Sequence, residues 1–342
     1  MKAVFVEKPY EINVIDIDKP IIKNNNEVLI KVLCGGICGS DIGIYKGTNS
    51  LATYPRIIGH EFGGIVEEIG DSVKKIKVGD YVAVDPIRSC GHCYACTHDR
   101  HNVCNTLEVV GVHRDGGFSE YVTAPEENVY VVDTTKVDKK YLCLVEPYSI
   151  GEEVNARGRT TKGDIVLVLG SGPIGIACMQ VAKAKGAFVM MTDLFDERLD
   201  RAKKMGADVV INVKKENIEE IIAKNTNNEG VNLVIDSVCS PSSFEQAVSY
   251  TSPAGRVVLL GLIDKPSQIT SVSIVKKELD VIGSRLNNYR FADVIKGFES
   301  HAYTPELMCT GVYSINEAEK AFKEIMEHPK NVCKTIISFE GE

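Results

Sequence analysis

The chain of 342 residues contains no tryptophan, no long apolar run and no excess of positive charge. Its formal net charge of −8 disfavours a non-specific nucleic-acid binder, because such a protein needs a basic face to displace counterions. No window reaches the ~18 consecutive apolar residues of a transmembrane helix, so we expect no membrane partner. Internal repeats and low-complexity segments are also absent. With 25% charged and 44% hydrophobic residues, this composition is typical of a folded globular protein.

The N-terminal residues predict a short strand rather than a secretion signal, whose apolar region would be longer. We therefore expect a cytoplasmic protein, and at ~100–200 residues per domain its length predicts two domains. The most unusual feature is the presence of eleven cysteines, an odd number that cannot all pair within one chain. In a reducing compartment, clustered cysteines more often bind metal than form disulfides.

Four cysteines are clustered, with two-residue gaps between the first three: Cys90, Cys93, Cys96 and Cys104. Four thiolates in tetrahedral geometry predict zinc in a closed, structural site. A [4Fe–4S] cluster is disfavoured because the ferredoxin pattern has three residues before its last cysteine, which proline follows. Three nearby histidines are interpreted as surface residues: His92, His98 and His101. Six of the other cysteines are interpreted as small packing residues: Cys34, Cys143, Cys178, Cys239, Cys309 and Cys333.

The pattern of predicted secondary structure changes near residue 150. Residues 1–150 read as many short strands separated by turns, with a metal lobe at about 87–110. From Gly163 onward, apolar strands alternate with helical segments such as Ile174–Lys185, which predicts a doubly wound parallel sheet over 151–285. The predicted strands are Ile165–Leu169, Phe188–Thr192, Val209–Ile211, Leu233–Asp236, Arg256–Leu260 and Asp280–Gly283. The tail, about 286–342, is predicted to return through an amphipathic helix at Ile315–Glu327 and a strand at Cys333–Phe339.

The first strand of that sheet leads directly into a Gly-x-Gly-x-x-Gly run at Gly170–Gly175. The run opens a helix, and Asp193 ends the next strand, 18 residues after Gly175. This combination is the dinucleotide-binding fingerprint, in which Asp193 would accept hydrogen bonds from ribose hydroxyls. A 2′-phosphate would meet that carboxylate, so NAD is preferred over NADP, with Arg198 on the adenine or facing solvent. The predicted cofactor-binding residues are Gly170, Gly172, Pro173, Ile174, Gly175, Asp193 and Arg198.

Three further segments contain potential metal ligands, which would form one site if the fold brings the segments together. Cys38 stands in a Gly-rich loop, His60 precedes Glu61 and two glycines, and Glu146 precedes a proline near the domain boundary. One sulfur, one nitrogen and one oxygen ligand suit a catalytic zinc with an open position. Each residue also has an ordinary structural interpretation: a packed cysteine, a hydrogen-bonded histidine, a carboxylate at a strand end. The residues alone leave both interpretations open.

Together these motifs resemble those of the zinc-containing medium-chain dehydrogenases, which include alcohol, sorbitol and threonine dehydrogenases. They occur in the order of that family across the whole chain. The resemblance implies a GroES-like catalytic domain formed by 1–150 and completed by 286–342. It also implies a Rossmann domain over 151–285, with the active site in the cleft. The motifs are Cys38-Gly39-Ser40-Asp41, His60-Glu61, the four-cysteine lobe, Glu146-Pro147 and the Gly-rich run.

The resemblance also implies a role for each matched residue. Cys38, His60 and Glu146 would bind the catalytic zinc, and Glu61 would be an exchangeable ligand. Ser40 would take the substrate hydroxyl proton before hydride passes to the nicotinamide. Asp41 would orient the imidazole of His60.

One position departs from the family pattern. Many relatives carry a histidine five residues after the zinc cysteine, as the second member of the proton relay, whereas this chain has Gly43. The proton would have to leave through water, Tyr45 or the cofactor ribose. This loss is the one feature that favours a non-catalytic NAD-binding or regulatory protein, and the retained zinc ligands argue against that alternative.

A glutamate as third ligand groups the chain with the polyol and threonine dehydrogenases. The stretches 109–121 and 284–287 look closest to bacterial sugar-acid 5-dehydrogenases, which act on L-gulonate, L-galactonate or L-idonate. The hypothesis is therefore zinc- and NAD-dependent oxidation of a secondary hydroxyl on a sugar acid or polyol; a threonine or simple secondary-alcohol dehydrogenase is the alternative. Family precedent suggests a homodimer or homotetramer, built partly by the sheet edge around 256–283. Candidate substrate contacts are Arg285, Asn287, Arg114, Arg56 and Tyr45.

Overall fold

The computed structural model describes residues 1–340, and their contacts divide them into two compact units. Among the described residues, the first unit contains Met1–Glu146, Phe291–His301 and 308–340. The second contains Pro147–Arg290 and Ala302–Leu307. The structure confirms the predicted α/β class, with one β-rich unit and one doubly wound parallel sheet.

The N-terminal part of the first unit consists of short strands. In chain order these are β1 (Lys2–Lys8), β2 (Glu11–Asp16), β3 (Glu27–Ile37), β4 (Arg56–Ile57), β5 (Glu61–Ile69), β6 (Tyr81–Val84), β7 (Ile87–Arg88), β8 (Glu108–Val109), β9 (Tyr121–Pro125) and β10 (Val129–Val131). The two helices are α1 (Gly39–Tyr45) and α2 (Tyr94–Thr97). Short 3-10 turns lie at His101–Val103, Glu126–Asn128 and Lys139–Leu144.

The second unit begins within α3 (Val145–Arg157) and then alternates strands with helices. The strands are β11 (Ile165–Leu169), β12 (Phe188–Asp193), β13 (Val209–Asn212), β14 (Val231–Asp236), β15 (Thr251–Leu259) and β16 (Asp280–Gly283). The helices between them are α4 (Pro173–Ala184), α5 (Asp196–Lys204), α6 (Ile218–Asn225), α7 (Pro241–Tyr250) and α8 (Ser271–Val275).

The six strands of the second unit form a parallel sheet in the order β13-β12-β11-β14-β15-β16. This order reverses beside β11, so the turn after β11 lies at the switch point where such sheets bind ligands. The strands are buried on both faces, and Leu167, Met190, Val234 and Val257 are fully buried in its core. All six predicted strands occur. β15 begins earlier than predicted because Pro253 and Gly255, which suggest a turn, lie within the strand.

The chain returns to the first unit through α9 (Phe291–Glu299), β17 (Cys309–Ser314), α10 (Ala318–Glu327) and β18 (Lys334–Ser338). Short 3-10 turns lie at Pro305–Leu307 and Ile315–Glu317. The main sheet of the first unit has the order β10-β6-β5-β3-β18-β17, and β9 also pairs with β3. β18 is antiparallel to β3 and pairs Thr335 with Ile37. The C-terminal segment therefore completes the sheet that carries the candidate metal ligands.

Two small sheets complete the first unit. One has the order β2-β1-β4, and the other joins β7 to β8 on either side of the cysteine lobe. Within residues 1–340, no helix combines the length and apolar character needed to span a membrane.

Candidate active site and metal centres

The pairing of β3 with β5 brings Cys38 and His60 together. The two strands are antiparallel, and Gly36 of β3 pairs with Glu61, the first residue of β5. Cys38 follows the end of β3 as the N-cap of α1, and His60 immediately precedes β5. One potential ligand atom from each of Cys38, His60 and Glu61 lies within 4.8 Å of the other two. We call these three residues the β3–β5 cluster.

Asp41 lies next to both Cys38 and His60 and fixes their positions. Its side chain is fully buried, and Oδ2 accepts a hydrogen bond of 2.8 Å from the Cys38 backbone N–H. Its Oδ1 lies 3.6 Å from Nδ1 of His60, and both atoms are buried without a hydrogen bond. Burial would lower the pKa of His60, but the charges of Asp41 and Cys38 raise it well above its usual value. A carboxylate behind one ring nitrogen leaves the other for a metal, so these residues fit a zinc ion.

Glu61 is fixed by a lysine from the far end of the sequence. Both carboxylate oxygens accept hydrogen bonds from Lys334 Nζ, at 2.7 and 2.8 Å, and both side chains are almost completely buried. Lys334 also donates to the carbonyl of Ile37 at 3.2 Å. A Cβ at Gly36 would lie 2.2 Å from a Glu61 oxygen, so only glycine leaves room for the carboxylate. Sequence reasoning missed Lys334, because nothing in its local pattern distinguishes it from a surface lysine.

Burial of Lys334 would lower its pKa, but the charges of Glu61 and Cys38 raise it above the ordinary value. The lysine is therefore positively charged. The carboxylate of Glu61 consequently has a permanent counter-charge at the edge of the cluster.

Glu146 lies near this cluster but outside the set of atoms that lie within 4.8 Å of one another. Burial raises the pKa of its carboxyl to about 8, with His60 acting to lower it and Glu61 to raise it. Glu146 is 5% exposed and lies in the first turn of α3. Its role as a zinc ligand stays a prediction, and the carboxylate grouped with Cys38 and His60 is that of Glu61, the predicted exchangeable ligand.

The four clustered cysteines converge. Their sulfur atoms are separated by 3.5 Å between Cys93 and Cys96, 3.8 Å between Cys93 and Cys104, and 3.9 Å between Cys90 and Cys96. Zn–S bonds of ~2.3 Å place the sulfurs of a tetrahedral site about 3.8 Å apart. These residues therefore fit one tetrahedral ion. A four-iron cluster binds each thiolate to a different iron atom and would need wider spacing.

Backbone N–H groups favour the thiolate form at three of the four clustered cysteines, whereas burial and Cys93 raise the pKa of Cys96 to about 11. Backbone N–H groups of Asn105 and then Cys96 lower the pKa of Cys93 to about 6. Backbone N–H groups also point at Cys104 and Cys90, each at 3.3 Å. Such donors stabilise sulfur in its ionised, metal-binding form.

One histidine of the lobe departs from its interpretation as a surface residue. His92 and His98 are exposed, but His101 is only 5% exposed. The difference arises because His101 begins a 3-10 turn whose first two residues are buried.

The Gly-rich run forms the turn between β11 and α4. Gly170 has a φ of 94°, and Gly172 is the N-cap of α4, with Pro173 at its first position. A Cβ at Gly175 would lie 2.0 Å from the carbonyl oxygen of Gly170, so only glycine permits this approach of helix and strand. The N-terminus of α4 is left available to an anionic group such as a pyrophosphate.

Asp193 ends β12 beside this turn. Its Oδ2 accepts a hydrogen bond of 2.9 Å from Ser171 N–H, and its Oδ1 accepts one of 2.7 Å from Leu194 N–H. Arg198 lies 3.7 Å from the same carboxylate, and its guanidinium is 5.5 Å from the Phe195 ring. The structure thus brings the predicted cofactor-binding residues of the second unit together.

The remaining candidates are scattered. Ser40 is partly exposed in the first turn of α1, two residues from Cys38. Tyr45 is 7% exposed, with its ring packed edge-on against those of Tyr10 and Phe322, so it has a packing role. In the second unit, Asn287 is fully buried and Arg285 is partly exposed.

Arg56 and Arg114 line a different region of the first unit, a cavity that none of Cys38, His60, Glu61 and Glu146 lines. Arg56 pairs with Asp115, and Arg114 pairs with Glu108. Within the first unit, these two arginines are therefore not placed with the β3–β5 cluster.

Two family models match most of the chain. The alcohol dehydrogenase GroES-like domain matches residues 24–134, and the zinc-binding dehydrogenase domain matches residues 173–300. The first match lies within the first unit, and the second covers most of the second unit and continues into α9 of the first.

Individual proteins match over nearly the full length. The starvation-sensing protein RspB of Escherichia coli K12 is 40% identical over 99% of each chain. The crystal structure of an rspB alcohol dehydrogenase from E. coli CFT073 with NADH has a TM-score of 0.93, with 40% identity over 99% of each chain. Sorbitol dehydrogenase of Bacillus subtilis is 32% identical over 99% of this chain and 97% of its own. L-galactonate-5-dehydrogenase of E. coli K12 is 31% identical over 93% of each chain.

The cysteine lobe predicts a measurable change in metal content. Replacing Cys96 by serine should remove one zinc per chain and lower the thermal unfolding midpoint, because three thiolates no longer close the tetrahedron. The matched control is Cys309→Ser, a partly buried cysteine outside both clusters. Elemental analysis of dialysed protein measures the effect; equal zinc content in the two variants would refute the assignment.

The Lys334–Glu61 pair predicts a large effect on stability. Lys334→Met leaves a buried carboxylate without its counter-charge, which typically costs ~3–5 kcal/mol. Adding Glu61→Gln should recover most of this loss, because no charge then remains unpaired. Urea unfolding of the zinc-loaded single and double variants tests the coupling. A Lys334→Met protein as stable as the wild type would contradict it.

Proposed function

The chain belongs to the zinc-binding alcohol dehydrogenase family, and on that premise we propose that it oxidises a secondary hydroxyl of a polyol or sugar acid to a ketone, with NAD as hydride acceptor. The observation that carries this proposal is the β3–β5 cluster, in which Cys38, His60 and Glu61 converge with Asp41 buried behind the imidazole. A chain that had lost catalysis would have no need to keep these groups together.

Zinc, when bound at this cluster, would supply a Lewis acid that lowers the pKa of a hydroxyl, as it lowers that of bound water to about 7. The protein residues orient the metal ligands and receive the proton. Asp41 keeps the imidazole of His60 in one orientation, and Lys334 keeps Glu61 in place. Ser40, which is partly exposed and two residues from Cys38, would receive the hydroxyl proton.

The second unit would bind NAD. Its Gly-rich turn and the N-terminus of α4 suit a pyrophosphate, and Asp193 suits the ribose hydroxyls. A 2′-phosphate at Asp193 would meet a carboxylate that already accepts three backbone hydrogen bonds, which supports NAD over NADP. The neighbouring Arg198 is paired with that same carboxylate, so its charge is partly neutralised.

We assign two zinc ions to each chain. The sulfur spacing of the four-cysteine lobe supports a closed structural site, and the mixed sulfur, nitrogen and oxygen donors of the β3–β5 cluster support a catalytic one. The two sites therefore differ in purpose: one stabilises a loop, and the other has an open position for substrate.

Relatives support the substrate class. Sorbitol dehydrogenase and L-galactonate-5-dehydrogenase both have polyhydroxylated compounds in their names, and both match more than nine-tenths of this chain. A sugar acid would also need a cation for its carboxylate. Arg285, partly exposed in the second unit, is the candidate that remains for this role.

A substrate panel tests the proposal. NADH formation is measured with L-gulonate, L-galactonate, L-idonate, sorbitol and L-threonine, each with NAD and with NADP. We expect turnover of at least one polyhydroxylated substrate, with NAD preferred. Turnover of L-threonine alone would reassign the substrate, and no turnover of any compound by zinc-replete protein would refute the proposal.

A cysteine variant tests the mechanism. Cys38→Ala should abolish turnover of the best substrate in that panel, because the metal loses its thiolate ligand, while NADH binding to the second unit persists. Cys309→Ala is the matched control and should retain activity. Persistent activity in Cys38→Ala would exclude a zinc mechanism at this cluster.

We also propose that the chain forms a homo-oligomer through the β16 edge of the second unit. Among the described residues, β16 pairs only with β15, and apolar side chains that precede it in the chain are strongly exposed: Leu262 at 77%, Val272 at 65% and Val275 at 73%. An open edge beside exposed apolar residues is typical of a strand that pairs with another chain.

Charge at this edge should weaken assembly. The variant Val272→Glu/Val275→Glu should sediment as a smaller species than the wild type, because like charges would face each other across a symmetric interface. Val312→Glu, at an exposed position of the first unit, is the control. A monomeric wild type, or an unchanged sedimentation coefficient in the double variant, would contradict the interface.

A further inference from the structure

The cavity of the first unit that Arg56 and Arg114 line has a volume of about 460 Å³. Its lining includes three arginines, Arg56, Arg88 and Arg114, together with His113. Cys38, His60, Glu61 and Glu146 do not line it, so it is distinct from the β3–β5 cluster. Its volume is in the range of ~300–1,000 Å³ that small-molecule sites occupy.

Arg88 is the unusual member of this lining. It ends β7, and its Nε is buried without a hydrogen-bond partner. Within residues 1–340, its guanidinium has no ion pair within 4.0 Å, whereas Arg56 pairs with Asp115 and Arg114 with Glu108. Burial lowers the pKa of Arg88 and the charge of Arg114 lowers it further, while the carboxylates of Glu127 and Glu27 act to raise it. Burying an arginine N–H donor without a hydrogen-bond partner costs free energy. A bound anion that accepts a hydrogen bond from this donor would remove that cost.

Four acidic residues line the same cavity; three of them are already engaged, and the fourth, Asp18, is exposed. Asp115 accepts from Arg56 and from Ile57 N–H. Glu27 accepts from the backbone N–H groups of Lys23 and Asn24. Asp85 accepts from Ile87 N–H at 3.0 Å. The three engaged carboxylates thus fix the loops around the cavity, and none of them forms an ion pair with Arg88.

His113 adds a neutral donor. Its Nδ1 accepts a hydrogen bond of 3.0 Å from Val109 N–H, so the ring proton is on Nε2. Arg56 also has a buried Nε without a partner. The cavity therefore contains buried N–H donors, on Arg56 and Arg88, that have no hydrogen-bond acceptor among residues 1–340.

We propose that this cavity is a binding site, separate from the active site, for a small molecule that carries a phosphate or carboxylate group. The fork of Arg88 would bind two oxygens of that group, and Arg114 would add a second positive charge. A concave site of this volume favours a small molecule over a flat protein surface.

The test is calorimetric titration of the zinc-loaded, NADH-saturated protein with inorganic phosphate and, separately, with acetate at constant ionic strength. NADH occupies the pyrophosphate site and keeps phosphate from it. We expect saturable binding of at least one anion, weakened about 10- to 100-fold in Arg88→Met, because a charge-assisted hydrogen-bonded pair is lost. The control Lys74→Met removes an exposed positive charge from the same unit and should bind as the wild type does.

Further variants separate the alternatives. Arg114→Gln, at a half-exposed position, should also weaken binding, and it keeps the proposal testable if Arg88→Met does not fold. Cys38→Ala should bind the anion normally; loss of binding there would place the anion at the catalytic metal and overturn the proposal. Wild-type protein that binds neither anion would overturn it, as would equal affinity in Arg88→Met. In another outcome, the wild type binds neither anion while Arg88→Met sediments differently from it. That combination would overturn the proposal and identify the cavity as part of an interface between copies of this chain.

Discussion

The buried ion pair between Lys334 and Glu61 connects the two ends of the first unit at the place where chemistry is expected. Both charges are removed from water, where each alone would be costly, and the pair persists because Lys334 satisfies both carboxylate oxygens and the Ile37 carbonyl. Glu61 immediately follows His60 in the chain. Any displacement of β18 would therefore move the histidine as well, so the C-terminal strand is part of the active site.

Strand pairing supplies the rest of the geometry. The end of β3 lies beside the start of β5, and this register alone places Cys38 near His60. Asp41 then fixes both, with one oxygen on the Cys38 backbone and the other facing the imidazole. The cluster is held by backbone register and by buried charges rather than by the loop that contains Cys38. Such support is what a metal site needs, because ligand positions must be set before the metal arrives.

Sequence reasoning succeeded where the signal is local. The cysteine lobe spans Cys90 to Cys104 and the nucleotide turn spans Gly170 to Asp193, so spacing alone indicates which side chains converge. It failed where contacts are distant or depend on burial. Lys334 is 273 residues from Glu61, and nothing near it in sequence marks it as buried. Tyr45 was a candidate for the site but packs between two aromatic rings, and Arg88 was not noticed because its isolation is visible only in three dimensions.

The measurement that tests this account most directly is anomalous diffraction at the zinc edge from crystals of the zinc-replete protein. The account predicts two peaks per chain. One should lie about 2.3 Å from Cys38 Sγ and about 2.0–2.1 Å from a ring nitrogen of His60, and the other should lie among the four clustered cysteines. The third ligand at the first peak would decide between Glu61 and Glu146. A peak in the cysteine lobe with none at Cys38 and His60 would contradict the catalytic role of the β3–β5 cluster.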